Sequence, residues 1–461
     1  GQDLGDNSRR KRAQMNLDDM KRLAAETVDT ALARGADTAK VSVSDQDRFG
    51  VTVRNGDIEN LSESRSSRIS VTLSVDKRKS SITSSDLSSK SIERFIDEAV
   101  ELASVMDRDE YFGLPDKDET GVARDGRAVF DDRTCEITTD EKISMARSLE
   151  DTALAMDGRI ISDGASVSSG IYSAVLANSD GFGEGYRQTW ASMDISLAID
   201  EENDEGHNTG KKQSSYWYST SASISGLDGI EEIASTAVER TTRKLGAVKP
   251  ATCEVPVIFD QVTARKFLGW ISSALSGRSV YKRETFLADM TGETISTPLV
   301  TMIDDPLMPG RIGSRPFDSE GVVSRKNTLI EKGVLKSYLL SSYEARKLAL
   351  KTTGNSGGIS NFYMEPGKDT LEDMIAGIDE GLLLTSLSGP GANWSSGDLS
   401  QGGQGIWISG GKLSHPVNEF TVAGTFPSIL SSIDMLEDSL DWRSSIASPS
   451  FRVKSMTISG T

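Results

Sequence analysis

The sequence predicts an α+β protein: helix-plus-sheet domains in the N-terminal half, followed by a large β-rich C-terminal domain. Three observations predict it. Apolar residues switch repeatedly between helical spacing and strict alternation. Asn-Gly and Gly-Gly pairs fall between alternating runs, where hairpin turns need them. Glycine, 42 of 461 residues, clusters in two C-terminal stretches, 352–358 and 388–405. At roughly 100–200 residues per domain, this length allows two to four domains.

The elements follow in order. Residues 16–34 form an amphipathic helix. Asn16 is placed to cap it, Asp18 and Asp19 suit its positive first turn, and Gly35 ends it. Val41, Val43, Val51 and Val53 then alternate up to the hairpin turn Asn55-Gly56, and Ile69, Val71, Leu73 and Val75 continue the sheet. Residues 79–91 are Ser-rich, and a second helix carries Ile92, Phe95, Ile96, Ala99 and Ala103 inward. An acidic linker over 107–135 leads to a helix at 139–157. Alternating strands at 164–177 and 186–199 flank the turn Asn178–Gly183, and a helix at 229–245 follows. Near Pro250 a third unit begins. Val255–Phe259 is a short buried strand and 261–275 a helix. Strands span 327–341, hairpinned at 331–333, and 405–424, hairpinned at Gly410-Gly411. The expected domains are a flexible leader over 1–15, with Met15 a candidate start, an N-terminal α+β domain over 16–106, a linker and central α+β domain over 107–228, and a β-rich domain over 229–461.

Charge and composition narrow the function. Lys and Arg total 51 against 69 Asp and Glu, a net charge of −18. A field of that sign repels phosphate backbones and anionic lipid, so neither nucleic acid nor a membrane is an expected partner. Cys135 and Cys253 are too few for a disulfide framework and fit a reducing cytoplasm. The basic run Arg9–Arg12 is followed by acids, not by an apolar segment, so it is no secretory signal. Only two histidines are present, His207 and His415. A zinc peptidase helix would carry two imidazoles and a carboxylate to activate water. No such helix is encoded, and no pair among His207, His415, Cys135 and Cys253 has ligand spacing. Asp200, Glu202 and Asp204 alternate as in a calcium loop, but Gly206 comes one place late and no Glu closes the loop, so a solvated hairpin tip is expected. Asp304-Asp305 before Pro306 reads as a turn.

Gly354-Asn355-Ser356-Gly357-Gly358 matches G-x-S-x-G. A nucleophilic Ser needs a base in reach and a strand–Ser–helix elbow, whereas this one follows a helix-like segment at 342–351 and precedes irregular chain. A tight backbone turn is the reading favoured over a hydrolase using Ser356. The Gly-rich, strand-rich C-terminal third also suggests a surface built of backbone. Exposed strand edges there would accept an extended peptide, unless the strands pair into a closed sheet.

The C-terminal third carries a resemblance. TTGNSGGISNFYM (352–364), the G-x-W-I-x-x-G-x-L-x-x-P-V-x-E-x-T-V-A-G pattern over 405–424, the S-G-D-x-S-x-G before it (396–402) and SPSFRVKSMTISG (448–460) resemble the TldD/PmbA family. V-R-N-G-D-I-E-N (53–60) fits too, and the likeness covers nearly all of 16–461. Members, once called modulators of DNA gyrase, are grouped as metallopeptidases. TldD-like members carry an H-E-x-x-x-H helix and a cysteine ligand near the C-terminus; PmbA-like (TldE) members lack both. At the corresponding helix this chain places Leu268 and Gly269 for the His-Glu pair and Ser273 for the second His, and 441–450 contains no cysteine. The resemblance therefore implies a PmbA/TldE-like subunit without zinc or catalytic residues. Its implied partners are a TldD-like subunit that holds the zinc and cleaves, and an extended peptide substrate, with a homodimer possible in isolation. Gly354, Asn355, Ser356, Gly357, Gly358, Asn393 and Asp398 become candidate peptide- or partner-contact residues. A stand-alone peptide-binding protein is the alternative.

Overall fold

The computed structural model describes residues 15–124, 129–202 and 207–461. Nearly all of the expected leader, including Arg9–Arg12, lies outside them, as do Asp204 and Gly206 of the acidic tip. The described chain divides into two compact units. One comprises residues up to Asp47 with Arg65–Leu114 and Tyr172–Arg187; the other comprises Arg48–Ser64, Pro115–Ile171 and Gln188–Thr461.

The chain begins with α1 (Leu17–Ala33), β1 (Thr38–Arg54), β2 (Asp57–Val75), β3 (Arg78–Ser84) and α2 (Ser89–Val105). There follow α3 (Asp132–Glu136), α4 (Thr139–Met156), β4 (Ile160–Asn178), β5 (Gly183–Glu202), β6 (Asn208–Ser221) and α5 (Ile230–Thr242). The strands form one sheet in the order β3-β2-β1-β4-β5-β6, so the expected N-terminal and central domains contribute strands to a common sheet.

In the first unit, Asn16 caps α1 by accepting the Asp19 N–H at 2.7 Å. Met20, Ala24 and Val28 of α1 and Ile92 and Ile96 of α2 pack with Val41, Val43, Ile69 and Leu73. Asn178 closes the β4–β5 turn by accepting the N–H groups of Asp180 and Phe182. In the second unit, Leu149 of α4 and Ile233 of α5 pack with Val51, Val53, Met193, Ile195 and Leu197. The hairpin at Asn55-Gly56 has φ of 53° and 80°, as its turn requires. Fully buried Glu150 of α4 accepts both turn N–H groups, at 2.9 and 2.8 Å, and the Ser162 hydroxyl.

The remaining chain runs β7 (Cys253–Phe259), α6 (Gln261–Ala274), α7 (Gly277–Tyr281), β8 (Met302–Asp304), β9 (Asn327–Glu331), β10 (Val334–Leu335), α8 (Ser342–Leu348), β11 (Phe362–Met364) and α9 (Leu371–Ala376). It ends with β12 (Glu380–Ser388), β13 (Ala392–Asn393), β14 (Asp398–Ser409), β15 (Lys412–Thr425), α10 (Phe426–Ser432), β16 (Ile433–Leu436), β17 (Ile446–Ala447) and β18 (Phe451–Ser459). The strand expected over 327–341 stops at Leu335. Beyond it, Lys336 and Ser337 return their N–H groups to Leu329, and the chain leaves the sheet.

One sheet runs β10-β9-β8-β11-β17. The other runs β12-β7-β18-β15-β14-β13, and β14 also pairs with β12. The ring β12-β7-β18-β15-β14 is therefore a closed barrel, which removes the long free edges allowed for at this Gly-rich end. Val257 and Phe259 on one face of β7 join Phe267, Phe426 and Phe451, while Ile258 on the other face meets Met374 and Ile378. Two-sided burial explains the unbroken apolar run of β7.

Glycine permits the closure. A Cβ on Gly405 would lie 2.4 Å from the Leu383 carbonyl oxygen, and one on Gly403 would lie 2.3 Å from the Phe420 ring. Gly405→Ala should lower stability by about 2–4 kcal/mol, seen as a lower urea midpoint at unchanged slope. Gly183→Ala, where a Cβ meets nothing within 4 Å, should change it by less than about 0.5 kcal/mol.

Candidate functional site

The segment corresponding to a zinc helix is α6. Asp260 caps it, accepting the Thr263 N–H at 2.8 Å, while Thr263 Oγ1 and Lys266 Nζ donate to the Leu384 and Leu387 carbonyls of β12. Burial raises the Asp260 carboxyl, opposed by the Arg240 guanidinium, whose Nη1 lies 3.5 Å away. Leu268 is fully buried, in the hydrophobic core that also holds Val257, Phe259 and Phe451. A Cβ on Gly269 would touch Ile446 at 3.7 Å, and Ser273 turns its hydroxyl back onto the Gly269 carbonyl at 3.2 Å. The tail packs along this helix: Ser439 accepts from Gln261 Nε2, and Arg265 Nη1 stands 3.7 Å from Asp441 Oδ2. Among the described residues, no three His, Cys, Asp or Glu side chains gather where they could hold a metal ion. An aliphatic side chain, a glycine and a self-bonded hydroxyl do not supply a zinc donor set.

Residues 354–358 lie on the five-stranded sheet. Asn355 is buried, donating to Asp304 Oδ2 at 2.7 Å and accepting from Asn327 Nδ2. Asp304 also accepts the Ser360 N–H at 2.7 Å. It is not part of the expected turn; it ends β8, fully buried, and burial raises its carboxyl. Asp305 alone forms the turn, accepting the Leu307 N–H. Asp318 accepts the backbone N–H of Ser356 at 2.9 Å, so a carboxylate fixes the loop's backbone while the hydroxyl plays no part in that bond. Gly354, Gly357 and Gly358 have φ of 73°, 91° and 93°, a geometry that favours glycine. Only Gly357 and Gly358 are exposed.

Asn393 and Asp398 sit elsewhere, paired across the β13–β14 hairpin. Asn393 accepts the N–H groups of Ser395 and Ser396, and Asp398 accepts the Ser396 hydroxyl at 2.6 Å. Both are exposed turn-forming residues. The sequence-predicted residues thus occupy three places: the core helix, the loop on the five-stranded sheet, and the barrel hairpin.

Sequence reasoning missed a polar cavity of about 240 Å³, lined by residues 219–221, 310–312 and 440–443 among others. Arg443 is saturated there, paired with Asp228 at 2.9 Å, Glu232 at 3.0 Å and Asp441 at 3.0 Å. Arg311 lies over the Trp442 ring at 4.5 Å, and Tyr363 braces that ring edge-on at 5.3 Å. No local motif signals this cavity; its walls come from segments roughly a hundred residues apart.

Two outcomes are expected from this geometry. Asn355→Ala, which leaves one oxygen of buried Asp304 without its donor, should cost roughly 2–3 kcal/mol in denaturant unfolding, whereas Ser356→Ala should cost less than about 0.5 kcal/mol. Burial, reinforced by Glu320, raises Asp318 from 3.8 to about 6. The folded chain then holds this proton more tightly than the unfolded chain. Its contribution is most favourable below pH 3.8 and is lost as pH rises through about 6. Across that window Asp318→Asn should gain on the unsubstituted chain, by up to about 3 kcal/mol, in unfolding measured from pH 4 to pH 7.

Comparison with known proteins agrees along the chain. Profiles for PmbA/TldA metallopeptidase domain 1, central domain and C-terminal domain match residues 39–103, 132–245 and 252–460. The metalloprotease PmbA of Escherichia coli O157:H7 is 33% identical over 444 residues, covering 95% of this chain and 97% of that protein. A metalloprotease TldD homologue of Haemophilus influenzae is 26% identical, covering 66% of this chain and 65% of that protein. A crystal structure from Bacteroides thetaiotaomicron, described as a modulator of DNA gyrase, superposes with a TM-score of 0.89 at 30% identity, covering 96% of this chain and 99% of that one. TldE from Thermococcus kodakarensis shares the fold, with a TM-score of 0.83 at 22% identity over 95% of this chain and 100% of that one. This chain belongs to the PmbA/TldD metallopeptidase family.

Proposed function

We propose that this chain is the PmbA/TldE-like subunit of a TldD/TldE-type metallopeptidase complex that processes unfolded or modified peptides in the cytoplasm. In this reading it holds no zinc and performs no cleavage; a TldD-like partner supplies the metal and the activated water. The observation that carries the reading is α6, where Leu268, fully buried, and Gly269 and Ser273, half-buried, stand in place of a His-Glu-His donor set. The fuller match to a PmbA-named relative than to a TldD-named one supports the same branch. Among the described residues no helix is long and apolar enough to cross a membrane. The chain's part is to complete, with that partner, a closed chamber and to position an extended peptide in it.

The test is reconstitution with a TldD-like subunit. The mixture should elute as a heteromer and cleave an unfolded peptide, while this chain alone leaves the peptide intact and retains well below one zinc per chain after dialysis. Stoichiometric zinc, or cleavage by this chain alone, would overturn the reading.

A further inference from the structure

Of the cations lining the polar cavity, Arg443 is spent on three carboxylates. The acids beside it are spent likewise: Asp228 on Arg443, and Asp441 on Arg443 with Arg265 near its other oxygen. Arg311 differs. Its backbone is held in a turn, its guanidinium rests on Trp442, and among the described residues no carboxylate pairs with it. Partial burial disfavours its charge. A planar guanidinium held against an aromatic face keeps its donor edge free for a bidentate carboxylate. The cavity, at about 240 Å³, is smaller than the roughly 300–1,000 Å³ of sites that bury a whole small ligand, so it suits one end of a longer molecule. Thr220 and Ser221, at the end of outermost strand β6, form one wall.

We infer that this cavity receives the C-terminal carboxylate of an extended peptide, gripped by the Arg311 guanidinium over Trp442, with the last residue's backbone against the end of β6. The inference rests on the peptide-processing role proposed above and names the peptide group this chain recognises. Arg443 is the positioning residue: by holding Asp228 and Asp441 it keeps their charges from Arg311 and from the incoming carboxylate.

The test measures binding to this chain alone by calorimetry, using acetyl-pentaalanine with a free C-terminus, its C-terminal amide, an amidated peptide carrying one internal glutamate, and sodium acetate. The free acid should bind at least about tenfold more tightly than either amidated peptide, and acetate more weakly than the acid. Arg311→Gln should abolish the difference between acid and amide, and Arg311→Lys, a charge without the fork, should restore part of it, with urea midpoints close to that of the unsubstituted chain. Equal binding of acid and amide, or a difference that survives Arg311→Gln, overturns the inference. Equal binding of the internal-glutamate peptide overturns the assignment to a chain terminus, and acetate binding as tightly as the acid overturns the assignment to a peptide. Cleavage by the reconstituted complex is read separately: carboxylate discrimination without it fails only the subunit role, and cleavage without discrimination fails only the carboxylate site.

Discussion

The pairing of β14 with both β12 and β15 is the constraint on which the C-terminal half depends. It converts a sheet with free edges into a ring, so backbone donors and acceptors of the Gly-rich strands are spent on each other. Closing a ring this small forces neighbouring strands into contact too close for side chains at Gly403 and Gly405. Gly403 and Gly405, which look in sequence like part of an adaptable surface, are there because the barrel is tight.

Barrel closure in turn places α6. The helix leaves β7 through Asp260, whose N–H donates to the Leu384 carbonyl, so its first turn is tied to β12. Phe267 then stacks edge-on against Phe259 and Phe451, with centroids 6.0 and 5.5 Å away. A helix held this way presents fixed positions to its surroundings. In this chain Leu268 points into the core, and Gly269 leaves room for Ile446 of the tail. Converting such a helix to a metal site would mean placing polar ligands where packing now stabilises the fold, which is costly unless the metal compensates.

On its polar side the same helix joins a lattice of alternating charge. The guanidinium groups of Arg240 and Arg443 both lie over the Trp217 ring, at 4.8 and 4.9 Å, and Arg265 reaches toward Tyr218. Asp260, Asp441, Asp228 and Glu232 balance these arginines. Buried charges are tolerated when each has a partner, and removing one leaves another uncompensated. The lattice thereby holds the 440–443 segment in place and shapes the wall against which Arg311 and Trp442 stand.

Much of the local structure was legible in the residue order because it follows from short-range physics. The cap at Asn16, the turns at Asn55-Gly56 and Asn178–Gly183, the 261–275 helix and the hairpin at Gly410-Gly411 depend on neighbours within a few positions. The absence of an H-E-x-x-x-H stretch is likewise a property of the residue order alone. The strand over 380–388, buried Asp304 and the Arg311 cavity were not. Each depends on partners far along the chain: Asn355 for Asp304, Trp442 for Arg311, and both β7 and β14 for the strand. Local preference dictated most of the helices and turns; only long-range pairing decided that the strands close into a ring and that, among the described residues, Arg311 rests on Trp442 with no carboxylate beside it.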